Sequence, residues 1–140
     1  MVIMNMQLLK QRQHCVFAIN YHLVFVTKYR RKCLTGPMLD VIEQITRERS
    51  AAWDGELIEM NGEADHVHFL LSLPPHKAVS DFVNMLKTNT SRLLRRDFKD
   101  RLNEVYSDPV LWSRSYCVIS VGGAPLDVLK RYIEQQERPD

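Results

Sequence analysis

From residue 16 to residue 27 the chain alternates, with Phe17, Ile19, Tyr21, Leu23 and Phe25 on one side of an extended backbone and Val16, Ala18, Asn20, His22 and Val24 on the other. A period of two is the mark of a strand with unlike faces and predicts a first strand over 16–27. Gly36-Pro37 then opens a stretch in which Leu39, Ile42 and Ile45 recur at helical spacing as far as Trp53, before Asp54-Gly55 supplies a turn. Two strand-like runs follow, 56–61 and 66–73, joined as a hairpin by Gly62-Glu63-Ala64-Asp65 and stopped by Pro74-Pro75. Between 78 and 99, Val79, Phe82, Val83, Leu86, Thr90, Leu93 and Leu94 share one side of a helix, and Thr88, Arg92, Arg95 and Lys99 the other. A loop around Asp108-Pro109 leads to a strand at 116–121. Gly122-Gly123-Ala124-Pro125 then introduces a last helix over 125–137, with Pro125 in the first turn, where its missing N–H is tolerated.

The order β-α-β-β-α-β plus a helix predicts an α+β fold: a ferredoxin-like split β-α-β with an antiparallel sheet, two helices on one face and the other face available. The chain's 140 residues, 45% of them hydrophobic, suit one core and are too few for two, so 1–140 reads as a single domain with 1–13 as an N-terminal extension. No run of about eighteen apolar residues could span a bilayer, and Met1 to Gln13 lacks a signal-peptide core, which predicts a cytoplasmic protein without a membrane partner. Cys15, Cys33 and Cys117 are odd in number and lack CxxC spacing, so neither a disulfide framework nor a thiolate zinc site is expected. A net charge of only +2 means that any nucleic-acid role must come from local basic patches.

The candidate chemistry begins with His66 and His68, which project from the same face of the predicted strand, while Val67, Phe69, Leu71 and Leu73 face the helices. Two imidazoles so spaced can converge on one cation, giving half a metal site; histidines hydrogen-bonded for structural reasons make the same pattern. On the last helix Tyr132 and Gln136 lie one turn apart, beside a buried stripe of Leu126, Leu129 and Ile133. That edge places Gln136 within reach of a metal and Tyr132 within reach of a phosphate if the helix docks on the sheet; otherwise both are ordinary amphipathic surface residues.

Asp65-His66-Val67-His68-Phe69-Leu70-Leu71 resembles the HUH motif, and Lys130-Arg131-Tyr132-Ile133-Glu134-Gln135-Gln136 resembles the nucleophile helix of the single-tyrosine transposases of small insertion sequences. The resemblance extends to His22-Leu23-Val24-Phe25-Val26-Thr27-Lys28-Tyr29-Arg30-Arg31 and to Val121-Gly122-Gly123-Ala124-Pro125, and so to nearly the whole chain. It implies that His66, His68 and Gln136 hold Mg²⁺ or Mn²⁺ and that Tyr132 attacks single-stranded DNA, forming a 5′-phosphotyrosine and releasing a 3′-OH without a nucleotide cofactor. It also implies a homodimer that recognises a DNA hairpin at the element's end, with Gly122-Gly123 as a hinge for the tyrosine helix. Asp65 would orient a ligand histidine or cap the hairpin turn.

For DNA contacts, Lys28, Arg30, Arg31 and Lys32 surround Tyr29, and Lys87, Arg92, Arg95 and Lys99 lie along the second helix with Thr88 and Ser91. Both groups also fit a solvated loop and a solvated helix face. Two other functions stay open at this stage. One is a domesticated relative that processes repeated palindromic genomic sequences. The other is a ferredoxin-like nucleic-acid-binding module without catalysis, although the strands lack the paired aromatics on which such modules stack bases.

Overall fold

The computed structural model describes residues 10–12, 15–17, 19–121 and 123–140, with the backbone alone described at 10–12, 15–17 and 123–126. Strands β1 (Lys10–Arg12) and β2 (Cys15–Phe17) form a small antiparallel hairpin, pairing Lys10 with Phe17 and Arg12 with Cys15. The strand expected over 16–27 is therefore two. β3 (Asn20–Thr27) starts where Asn20 gains partners on both sides, Ser72 and Val121, whereas 15–17 pairs only with the extension. Ala18 and most of the expected extension, residues 1–9 and 13, lie outside the described residues.

Helix α1 (Gly36–Ala52) begins at Thr35, whose hydroxyl accepts the Met38 N–H at 3.4 Å, with Pro37 in the first turn. Strands β4 (Glu56–Gly62) and β5 (His66–Ser72) form the expected hairpin. After helices α2 (Val79–Asp97) and α3 (Lys99–Val105) comes β6 (Trp112–Val121), and the chain ends with α4 (Gly123–Glu134). The four-stranded sheet has the order β4-β5-β3-β6, antiparallel throughout, which is the split β-α-β arrangement expected. One face carries the main core, where Leu23, Phe25, Val67, Phe69 and Leu71 meet Leu39 and Ile42 of α1 and Phe82 and Leu86 of α2. The Phe25 and Phe69 rings pack edge-on at 5.0 Å.

Three expectations need correction. The second sheet face is not left open, because α4 lies on it: Leu70 of β5 and Ile133 of α4 are both fully buried, with Ile58, Val121 and Leu129 around them. Burying two such side chains contributes roughly 1.5–3 kcal/mol each, which fixes the helix on the histidine-bearing face. The helix expected over 78–99 stops at Phe98, whose φ of −123° and ψ of 41° break the spiral; α3 then buries Leu102 and leads to buried Tyr106. The strand expected at 116–121 begins at Trp112, where the indole N–H donates to the buried Thr90 hydroxyl at 2.9 Å. Polar Ser113, Arg114 and Ser115 hide its start from a hydrophobicity pattern, and the register against β3 shifts between Phe25 and Thr27. Cys33 is buried and Cys117 exposed, both free; the Cys15 side chain is outside what is described.

Gly62 closes β4 across from Val67, next to the first histidine. A Cβ there would stand 2.5 Å from the His66 carbonyl oxygen and 3.1 Å from Val67 Cα, both main-chain atoms that cannot swing aside. Gly62→Ala is expected to destabilise the protein by about 1–3 kcal/mol, visible as a lower thermal midpoint; an unchanged midpoint would mean that the hairpin shifts freely.

Candidate functional site

On β5 the period-two alternation sends Val67 and Phe69 into the main core and His66, His68 and Leu70 to the α4 side. The buried Leu70–Ile133 contact sets where α4 crosses, and this carries Tyr132 and Gln136 to the two histidines. The His68 and Tyr132 rings meet edge-on at 5.6 Å, and the His66 and His68 rings meet edge-on at 5.0 Å. Gln136 Oε1 stands 3.4 Å from His66 Nε2. The helix expected over 125–137 runs instead from Gly123 to Glu134, so Gln136 sits in a final turn just beyond it. That turn is held by Gln136 N–H to Ile133 O at 3.2 Å, and by Asn61 of β4, whose side-chain amide donates to Gln136 O at 3.1 Å. Gly123 is thus part of the helix, and Gly122, the other half of the expected hinge, lies outside the described residues.

Each histidine is also gripped at Nδ1. His66 Nδ1 lies 2.7 Å from Asp65 Oδ1, and His68 Nδ1 lies 2.9 Å from Nε2 of His22 on β3. Asp65 thus contacts the His66 ring through its carboxylate, while its main-chain oxygen accepts the Thr27 N–H at 2.9 Å and ties the hairpin to the end of β3. Burial alone would raise the Asp65 carboxyl, but the hydrogen bond and charge of His66, with Arg30 3.6 Å away, hold it below the usual carboxylate range. His68, only 7% exposed, is pushed down to about 4 by burial and then by the neighbouring His22 and His66; burial lowers His22 as well.

His68 is consequently neutral near pH 7, as a metal ligand must be. Between its folded value of about 4 and the ordinary 6.5 the unfolded chain binds more protons, so stability is present above 6.5 and lost as pH falls towards 4. The metal-free protein is expected to melt at progressively lower temperature across that window, and His68→Gln to flatten the decline. A wild type whose midpoint holds constant from pH 7 to 4 would contradict a buried neutral ring.

A second donor set overlaps the first: Glu63, Asp65 and His66 each bring a ligand atom to within 4.8 Å of one another, so these residues too could hold a metal ion. Glu63, His22 and Asn61 were not anticipated. His22 shares a face with the HxH pair in the observed register, where it pairs with Leu70 while His68 pairs with Val24.

The basic residues fall into two places. Lys28, Tyr29 and Arg30 form a tight turn after β3 in which Tyr29 and Arg30 take φ of 58° and 53°, costly for residues with side chains. The turn is held by Thr27 Oγ1 donating to Arg31 O at 2.7 Å and Tyr106 OH donating to Lys28 O at 2.6 Å. It presents an exposed Tyr29 ring and Arg31, and Arg30 joins it to Asp65 and the histidine site. Arg92 and Arg95 line a cavity of about 570 Å³ between α2 and the start of β6, together with Thr88, Ser91 and Arg114. Lys99 lines an adjoining cavity with Arg95. Lys87 also borders the first cavity, but its ammonium donates to Ser113 O at 2.6 Å and Arg114 O at 3.0 Å, and burial lowers it from the usual lysine value.

Residues 15–136 match the family described as IS200-like transposases. The chain is 35% identical over 135 residues to the ISDra2 transposase TnpA of Deinococcus radiodurans, covering 96% of this chain and 95% of that protein. It is 33% identical over 131 residues to the transposase for insertion sequence element IS200 of Salmonella typhimurium, covering 94% and 85%. Among solved structures, a Deinococcus radiodurans chain described as a transposase aligns with a TM-score of 0.72 at 31% identity over 92% of this chain and 98% of that one. A REP-associated tyrosine transposase bound to a REP hairpin shares the fold, with a TM-score of 0.63 at 11% identity over 89% and 69%.

Proposed function

Because the chain belongs to the family of IS200-like transposases, we propose that it cuts and rejoins single-stranded DNA at insertion-sequence ends, with Tyr132 as nucleophile and His66, His68 and Gln136 as holders of Mg²⁺ or Mn²⁺. The observation that carries this reading is the convergence of α4 on β5, which gathers all four side chains at one place. The donors fit a cation. In the tautomer that gives its Nδ1–H to Asp65, the His66 ring offers a lone pair at Nε2, and that atom lies 3.4 Å from Gln136 Oε1. A cation between these two atoms would be held by both. In the overlapping set with Glu63, Asp65 already holds His66 Nδ1 at 2.7 Å through Oδ1, and we assign it to orientation. When bound, the metal polarises the phosphoryl group and offsets its charge.

The remaining chemistry belongs to Tyr132, whose side chain is half exposed (50%) and open to a strand. Its oxygen attacks phosphorus; the Oη–P bond forms, the P–O3′ bond breaks, the phenol gives its proton to solvent, and the departing 3′ oxygen takes a proton from solvent to become the 3′-OH. One phosphodiester replaces another, so the reverse attack by a 3′-OH reseals a strand without ATP. The working unit in this reading is a cytoplasmic homodimer on a hairpin-bearing strand, with Arg30, Arg31, Lys28, Arg92 and Arg95 as phosphate contacts. The domesticated alternative is favoured less, since the relatives at 33–35% identity are named for insertion sequences and the REP-associated one shares 11%.

The test is incubation with end-labelled oligonucleotides, single-stranded and fully duplex, with Mg²⁺ or a chelator, followed by denaturing electrophoresis. A covalent adduct with single-stranded DNA and metal only is expected. Binding without any adduct on a verified element end would indicate a non-catalytic binding module.

A further inference from the structure

We propose that His22 is a positioning residue for His68, accepting the His68 Nδ1–H at its own Nε2 and so holding His68 in the tautomer whose Nε2 lone pair is left for the metal. The inference rests on the reading above that His68 is a ligand. The contact is built by the sheet. His22 on β3 pairs with Leu70 and His68 on β5 pairs with Val24, so the two histidines are diagonal neighbours on one face, a separation that ring side chains can span. Their rings lie 19° from parallel with centroids 5.1 Å apart, and the nitrogens facing each other are 2.9 Å apart.

A hydrogen bond between two neutral imidazoles uses one proton, and its direction decides whether His68 can bind a cation. If His22 donated, His68 would accept at Nδ1 and carry its own proton at Nε2, leaving no lone pair for a metal. If His68 donates, both histidines of the pair are fixed alike: His66 gives its Nδ1–H to Asp65 at 2.7 Å, His68 gives its Nδ1–H to His22, and each keeps Nε2 free. The two acceptors differ in charge. Asp65 brings a carboxylate to the site, whereas His22 does the same orienting work without adding a second negative charge, which leaves more of the cation's charge for a phosphate.

The test combines the tautomer of the metal-free protein with Mn²⁺ affinity. Long-range ¹H–¹⁵N correlation spectra of wild type are expected to show His68 protonated at Nδ1 and His22 unprotonated at Nε2. His22→Phe keeps a ring but removes the acceptor; Mn²⁺ binding by calorimetry is expected to weaken by about 10- to 100-fold. His22→Gln, whose side-chain oxygen reaches the place of Nε2, is expected to bind close to wild type. His68 protonated at Nε2 in wild type would overturn the inference, and this measurement decides even if His22→Phe does not fold. So would His22→Phe binding Mn²⁺ as tightly as a wild type that binds it. A wild type that binds no Mn²⁺ would instead overturn the ligand reading, and the inference with it.

Discussion

Tyr132→Phe is expected to abolish the covalent protein–DNA product and to lower single-turnover strand cleavage by about four to six orders of magnitude, as loss of a covalent nucleophile does elsewhere. The substitution removes one oxygen and nothing else. The ring keeps its edge contact with His68 at 5.6 Å, and α4 remains anchored by Ile133 on Leu70, so the thermal midpoint should move little, by the equivalent of about 0.5 kcal/mol. Affinity for the single strand should survive as well, because the candidate phosphate contacts lie on the turn after β3 and along α2. An adduct formed by Tyr132→Phe at the wild-type rate would place the nucleophile elsewhere.

His66→Ala should cost about a thousandfold in cleavage, the several kcal/mol that metal stabilisation of a phosphoryl transition state supplies. His68→Ala should match it in activity but differ in stability, because His68 is 7% exposed and its removal leaves His22 without its ring partner. A destabilisation of about 1–3 kcal/mol is expected there. Gln136→Ala removes one donor from a turn beyond the end of α4 and should barely alter the melt. Raising Mn²⁺ should restore part of the activity of Gln136→Ala, which keeps two ligands, and none of that of Tyr132→Phe. Full activity of His66→Ala in a chelator would remove the metal from the reaction.

Much of this was legible in the chain. Period-two alternation at 66–73 separated the histidines from the core-facing Val67, Phe69 and Leu71, and the one-turn spacing put Tyr132 beside Gln136. These are local periodicities, and local periodicity survives in a sequence. The site also depends on pairing, which does not. His22 reads only as a polar position in the first strand until β3 is registered against β5. The same holds for Lys87, which lies on the same helix as Arg92 and Arg95 but whose ammonium is held by two carbonyls of β6. The break at Phe98 carries neither glycine nor proline, and the start of β6 is polar, so tertiary contacts of Leu102 and of Trp112 with Thr90 decide both.

The central claim is that the Tyr132 oxygen becomes bonded to DNA. The most direct measurement is mass spectrometry of the wild-type protein after reaction with a single-stranded element end and Mg²⁺, digested with nuclease and trypsin. A phosphonucleotide carried on Tyr132, in the peptide that begins at that residue after cleavage behind Arg131, is the expected result. The same mass added to another residue, or strand cleavage with no modified peptide, would contradict it.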